Sequence, residues 1–227
     1  MINPFYHDPR PSKSFDVKDG TLMKFYDQFY SSEKRWIYNE EKERQILEKY
    51  IIKPANWLRG DYLLEIGCGQ GFHSNLLQSL GYQVTGIDVS VSAIKTAQAE
   101  SSGADFICGD LSTFKPEKKY KGILCRGMSW FHYELNNELK KKLRHIFEWL
   151  ESDGTFVLQI VTDFSGSRPE DKVHNNTVEQ YLELFKGVGT LISITDWVGK
   201  KLKIGEKGNR GVIVTVAKSN SASLTPS

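Results

Sequence analysis

Three features of the sequence predict a doubly wound α/β fold on a mostly parallel, seven-stranded sheet with a reversed C-terminal hairpin. Short apolar runs alternate with amphipathic helical segments from Tyr62 to Val161, the pattern of a parallel sheet covered on both faces. A glycine-rich turn follows the first of these runs directly, where such sheets bind ligands. The last two apolar runs are joined by a loop too short for a parallel crossover, so they pair antiparallel.

The elements follow in order. Charged residues from Glu33 to Tyr50 are interrupted by Trp36, Ile37, Ile46, Leu47 and Tyr50 at near-helical intervals, which predicts an amphipathic helix capped by Ser31 or Ser32 and ended before Pro54. Strands are expected at Tyr62 to Ile66, Val84 to Ile87, Phe106 and Ile107, Gly122 to Cys125 and Thr155 to Val161. Helices are expected at Gly71 to Leu80, Ser92 to Ala99 and Asn136 to Trp149. A further helix over Thr177 to Phe185 opens with the capping pattern Asn176-x-x-Glu179. Leu191 to Val198 and Val212 to Ala217 read as the final hairpin, around a loop rich in Gly and Lys. Residues 1–30 then form a front segment, 31–218 the main domain, and 219–227 a loosely ordered tail.

Composition narrows the function. A chain of 227 residues with 39% hydrophobic side chains can bury one sizeable core and has little room for a second domain. Thirty basic against 28 acidic residues leave a net charge of +2, too little for a chain whose main partner is a polyanion, so nucleic acid is not favoured. The basic clusters Lys115 to Lys121, Lys140 to Arg144 and Lys200 to Lys207 read as solvated faces among balancing acids. No apolar run reaches the roughly 18 to 20 residues of a membrane helix, and the first residues lack a signal-peptide core. The chain is read as cytoplasmic, with no membrane partner, and as a monomer or homodimer. Cys68, Cys108 and Cys125 are odd in number and widely spaced, which suggests small core residues and neither a disulfide framework nor a metal site.

The informative stretch is Leu63 to Gly71, LLEIGCGQG, a buried strand ahead of glycines at 67, 69 and 71. Such a turn lets a ligand approach the backbone. A dinucleotide loop would carry its third glycine one position later, where Phe72 stands, so the spacing argues against a pyrophosphate. Asp88 closes the second strand, about twenty residues after the glycine loop, where doubly wound domains place the carboxylate that accepts from ribose hydroxyls. Asp110, after the third strand in FICGDLSTF, could accept from an adenine amino group. Each aspartate alone is equally a helix cap or a turn residue. Together, at successive strand ends, they outline a nucleoside site.

With these residues in hand, the sequence resembles the class I, Rossmann-like, seven-stranded S-adenosylmethionine-dependent methyltransferases from Glu33 to Ala217. Glu65 with Gly67, Gly69 and Gly71 matches the first motif of that family, whose loop contacts the amino-acid end of the cofactor. Asp88 matches its ribose acid and Asp110 its adenine-contacting acid. The resemblance implies S-adenosyl-L-methionine as cofactor and adds Val89, Leu111 and Arg126 to the cofactor side. Nucleic-acid and protein-glutamine methyltransferases of this fold carry an N-P-P-Y type sequence after the fourth strand. Here the residues are Arg126-Gly127-Met128-Ser129-Trp130, which moves the expectation toward a small or medium-sized acceptor such as a metabolite, sugar or natural product. The alternatives are an RNA or protein methyltransferase and a cofactor-binding subunit without its own activity.

For catalysis, His132 in GMSWFHYE and Asp163 in VTDFSG follow the fourth and fifth strands, where a base could take a proton from a hydroxyl or ammonium acceptor. A loop residue orienting the next helix and a turn aspartate are the plainer readings of the two. Arg126 could instead hold an acidic acceptor. Phe25, Tyr26, Phe29 and Tyr30 form two aromatic pairs at i, i+4 spacing. Such a stripe is ordinary core packing or, as the resemblance implies, an N-terminal helical lid whose Tyr26 and Tyr30 line the acceptor cavity together with Tyr133. No His, Cys and carboxylate cluster has metal-ligand spacing, so no metal is expected.

Overall fold

A computed structural model describes residues 21–31, 36–132, 135–163, 176–206 and 209–219. Its seven strands are β1 (Tyr62–Ile66), β2 (Gln83–Asp88), β3 (Asp105–Cys108), β4 (Tyr120–Arg126), β5 (Leu150–Asp163), β6 (Gly189–Asp196) and β7 (Asn209–Lys218). They lie in the order β3-β2-β1-β4-β5-β7-β6. The first five pair in parallel, and β7 runs antiparallel to both β5 and β6. The strand order reverses beside β1, the switch point at which open α/β sheets bind their ligands.

Alternation along the strands sorts the core onto two faces. Leu64, Ile66, Ile123, Cys125, Phe156 and Leu158 pack with α6 (Asn137–Glu148) and α7 (Val178–Phe185) on one face. Leu63, Val84, Leu124, Val157 and Ile213 pack on the other, under α4 (Phe72–Ser79), α5 (Val91–Ala99) and the helical segment that precedes the sheet. On this second face the indole of Trp57 donates to Thr155 Oγ1 at 2.7 Å. The same indole lies where a β-carbon on Gly122 would stand.

Two boundaries differ from the sequence expectation. The helix expected from Glu33 begins at α2 (Glu40–Ile46), capped by Asn39 and not by Ser31 or Ser32. Residues 36–39 are non-helical, and Tyr38 stacks instead on Phe72, with ring centroids 4.7 Å apart. Nor does Pro54 lie beyond the end. A π-helical segment (Leu47–Ile52) and the turn α3 (Lys53–Ala55) carry the helix through it to Asn56, whose φ of +56° ends it. α7 is capped by Thr177 with Gln180 in a reciprocal capping box, one residue later than the pattern Asn176-x-x-Glu179 suggested. Asn176 is buried and donates from Nδ2 to the Phe131 carbonyl. Cys68 and Cys125 are buried as expected, whereas Cys108 is exposed because β3 is an edge strand whose last residue has no outer neighbour. The terminal segments 1–20 and 220–227 lie outside the described residues.

Candidate active site

At the carboxyl edge of β1 the chain turns through Gly67, Gly69 and Gly71, all with positive φ. Gly69, at φ +53°, donates its N–H to Asp88 Oδ2 at 2.9 Å. The other carboxylate oxygen of Asp88 accepts from Ser90 N at 2.9 Å. Burial pushes the Asp88 carboxyl above its ordinary value, while the backbone N–H groups of Ser90, Gly69 and Val89 oppose the rise. A carboxylate has about four lone-pair sites. With one site on each oxygen taken by the Gly69 and Ser90 amides, the group retains acceptor capacity for ribose hydroxyls. Gly71 is tight for a different reason, since a β-carbon there would fall 2.5 Å from the Phe106 ring.

The front helix α1 (Thr21–Ser31) lies over this loop. Asp27 Oδ1 accepts from Ser90 Oγ at 3.0 Å and from Ser92 N at 2.8 Å, which fastens α1 to the first turn of α5. The Tyr30 hydroxyl reaches Gly69, and Tyr26 stacks on Tyr30 at 6.3 Å. Burial, and next the charge of Asp88, raise the Tyr30 phenol well above its ordinary value. The aromatic stripe therefore sits at the candidate site.

A buried polar cluster lies under the loop on the face of α4, and its members Glu43, His73, Tyr38 and Gln159 are not legible as site residues in the sequence. Arg126 at the end of β4 donates from Nε to Gln159 Oε1 at 2.8 Å and contacts His73 Nε2 with Nη1 at 2.6 Å. Its Nη2 pairs with Glu43 Oε2 at 2.8 Å. Gln159 Nε2 is left without a partner among the described residues. His73 Nε2 also lies 3.3 Å from Glu43 Oε2, so its tautomer decides between accepting from Arg126 and donating to Glu43, while Nδ1 lies 3.8 Å from Glu65 Oε1. Burial, reinforced by the nearby guanidinium, pushes His73 down to about 4. Burial would raise Glu43, but His73 and Arg126 outweigh it and hold that carboxyl below its ordinary value. Glu65 accepts from the Ser74 hydroxyl, and burial pushes it up to about 7. The guanidinium is thus ion-paired with Glu43 through Nη2, which makes no hydrogen bond among the described residues.

The remaining candidates divide. Val89 is half-buried and Leu111 buried beside the expected nucleoside edge. Asp110 is exposed, and its Oδ1 accepts from Ser112 N at 2.8 Å in a turn. His132 ends a 3-10 turn (Ser129–His132) after β4, and Asp163 ends β5. The backbone brings both to the carboxyl edge of the sheet, while their side chains and the whole of Tyr133 lie outside the described residues. Among the described residues no group of His, Cys, Asp and Glu has the arrangement of a metal site, and no helix is long and apolar enough to cross a membrane.

Residues 63–154 match the family model described as a methyltransferase domain. An uncharacterized protein of Methanocaldococcus jannaschii is 25% identical over 185 residues, covering 81% of this chain and 65% of its own length. An uncharacterized methyltransferase of Bacillus subtilis is 27% identical over 133 residues, covering 56% of this chain and 71% of its own. The chain therefore spans about two thirds of the length of these relatives. The crystal structure of magnesium protoporphyrin IX methyltransferase from Synechocystis PCC 6803 with bound S-adenosylmethionine superposes with a TM-score of 0.63 at 15% identity, over 91% of this chain and 99% of that one. Residues 63–154 carry a methyltransferase domain, and the seven-stranded fold is that of the S-adenosylmethionine-dependent methyltransferase structures it superposes on.

Proposed function

We propose that this protein moves the methyl group of S-adenosylmethionine to oxygen or nitrogen of a small or medium-sized acceptor. The observation that carries the reading is the clamp of α1 over the glycine loop through Asp27 and Tyr30. An acceptor that reacts beneath an eleven-residue helix must fit inside a covered site. The Synechocystis structure is named for a small-molecule substrate, which supports the same class.

The cofactor supplies an electrophilic methyl group on a sulfonium. The protein's part is to align and to exclude water, since orientation provides most of the acceleration in an in-line displacement. Asp88, fixed by the Gly69 amide, would hold the nucleoside end, the glycine loop would receive the amino-acid end, and Tyr26 and Tyr30 would shield the site. The acceptor lone pair forms the new bond to carbon as the carbon–sulfur bond breaks and sulfur keeps the electron pair. A hydroxyl or ammonium acceptor must also lose a proton, and we assign that step to His132, with Asp163 as second candidate. Replacing His132 by Asn should lower kcat by roughly 10² to 10⁴ with cofactor affinity nearly unchanged.

The test is incubation with methyl-labelled cofactor and separate pools of small hydroxy and amino compounds, total RNA and total protein. Label in the small-molecule pool is expected. Label confined to RNA or protein would replace this reading with the macromolecular one, and tight cofactor binding without transfer to any pool would leave a binding subunit.

A further inference from the structure

The connection between β6 and β7 leaves two aliphatic side chains in water. Because β7 runs antiparallel to both neighbours, β6 ends and β7 begins at the carboxyl edge of the sheet, the edge that carries the glycine loop. Two tight turns fill the connection. In the first, Gly199 at φ +82° donates its N–H to the Asp196 carbonyl at 3.0 Å, and Val198 stands at the apex, 71% exposed. In the second, Glu206 donates its N–H to the Lys203 carbonyl at 3.2 Å around Ile204, 70% exposed, and Gly205 at φ +78°. Turn apexes ordinarily carry Gly, Asn, Asp or Ser. The core is already served here by buried Leu202 and by Trp197, which packs against the second face. Ile37, 87% exposed, borders the same edge, since the rings of its neighbour Tyr38 and of Trp197 lie 5.0 and 6.0 Å from the Arg126 guanidinium carbon.

Charge is sorted around these apexes. Residues 196–210 hold five basic side chains and two acidic ones. Both acids turn to the backbone: Asp196 Oδ1 accepts from Val198 N and Lys200 N at 3.0 and 2.8 Å, and Glu206 Oε2 from Lys203 N at 3.2 Å. Lys200, Lys201 and Lys203 are exposed, with Lys200 3.4 Å from Glu206 Oε1. We propose that this loop is a peripheral docking surface for an anionic lipid bilayer, with Val198 and Ile204 entering the headgroup boundary and the lysines meeting the lipid charge. An anionic polymer such as RNA would complement the lysines but gains nothing from bare aliphatic apexes, whereas a bilayer surface rewards both at once. The sequence expectation of no membrane partner stood on the lack of a spanning helix, which a peripheral surface does not need. Docking in this pose turns the carboxyl edge of the sheet toward the lipid. It goes beyond the proposed function, because an acceptor dissolved in the bilayer would then reach the site without crossing bulk water.

Flotation of the full chain with vesicles of phosphatidylcholine, alone or mixed with phosphatidylglycerol, tests this. We expect binding to the mixed vesicles only, weakening as salt rises because screening shortens the reach of the charges. The double variant Val198→Ser/Ile204→Ser should bind about tenfold more weakly, given the apolar area it withdraws from the lipid boundary. Replacing Lys200, Lys201 and Lys203 together by Gln should weaken binding about tenfold to about 100-fold, each lysine near an anionic surface being worth about fivefold. Thermal melts should show both variants folded like the unmodified chain, since all five positions are exposed. Val198→Ala/Ile204→Ala takes the place of the serine pair if serine lowers the melt. No flotation with the mixed vesicles at low salt would overturn the inference. So would undiminished flotation of the aliphatic variant, or binding to RNA in place of vesicles, either of which would make the loop a site for polyanions. None of these outcomes bears on the cofactor reading, which calorimetry with S-adenosylmethionine tests separately.

Discussion

The Tyr30 hydroxyl oxygen lies 2.8 Å from the point where a β-carbon on Gly69 would stand. One side chain of the front helix therefore measures the clearance above the glycine loop. Gly69→Ala should push Tyr30 away, and at φ +53° it also costs about 1 kcal/mol of backbone strain. We expect weaker S-adenosylmethionine binding and faster tryptic cleavage at Lys24 in the loosened helix. Adding Tyr30→Phe removes the atom in conflict and leaves ring carbon at 3.4 Å, so cleavage should slow again while the strain persists. Unchanged proteolysis in Gly69→Ala would show that the contact does not hold α1 in place.

Asp88 accepts from the Gly69 and Ser90 amides, and the proposed function gives its remaining lone pairs to the ribose. Asp88→Ala should weaken cofactor binding by about 1.5 to 3 kcal/mol through lost charge-assisted bonds, measured by calorimetry. Undiminished affinity would remove Asp88 from the site.

The buried pair Glu65 and His73 should give opposing pH dependences of stability. Glu65 is raised to about 7 in the folded chain. Its stabilising contribution is full below the ordinary carboxyl value and is lost as pH rises through 7. His73 is lowered to about 4. Its contribution is present above the ordinary imidazole value and is lost as pH falls through 4. Between roughly pH 4.5 and 6.5 the two trends offset each other. In thermal melts over this range, Glu65→Gln should steepen the loss of stability toward acid, and His73→Gln should reverse its sign. Identical profiles for both variants and the unmodified chain would refute the assignment.

Gly122 is fixed by space and not by its backbone. A β-carbon there would fall 2.2 Å from Trp57 Cε2, and the indole is held in place by its bond to Thr155. Gly122→Ala should cost about 1 to 3 kcal/mol by overpacking, seen as a lower Tm in calorimetry. Trp57→Phe in the same chain should recover part of the loss. A full-height melt for Gly122→Ala alone would mean the indole yields freely.

Much of the sheet was legible because its signals are local. The glycine loop and Asp88 follow their strands at a fixed distance in sequence, and the apolar runs of β1, β2 and β4 announce their own burial. Glu43 had no such signal. It sits in a run of charges, EEKER, that reads as a solvated face, and only the fold brings Arg126 to it across 83 residues of sequence. His73 likewise reads as an ordinary helix residue until the end of β4 arrives beside it. The cap of the first long helix went to Asn39 because the aromatic contact between Tyr38 and Phe72 keeps the chain extended where periodicity alone would continue the helix.

The fastening of α1 also dictates an order of assembly. Asp27 is synthesised early, yet its partners Ser90 and Ser92 lie 63 and 65 residues further along. While the ribosome is still making β1 and β2, the aromatic stripe of α1 has only Trp36, 5.7 Å from Phe29, to pack on. It must therefore spend that interval as a nascent, sticky segment, and it closes only after the nucleoside-binding half of the sheet has formed. Long-range contacts of this kind come late because their loop must be closed before they reward it. The helix that covers the site should thus be the last piece of the front half to fold and the first to leave when the protein opens.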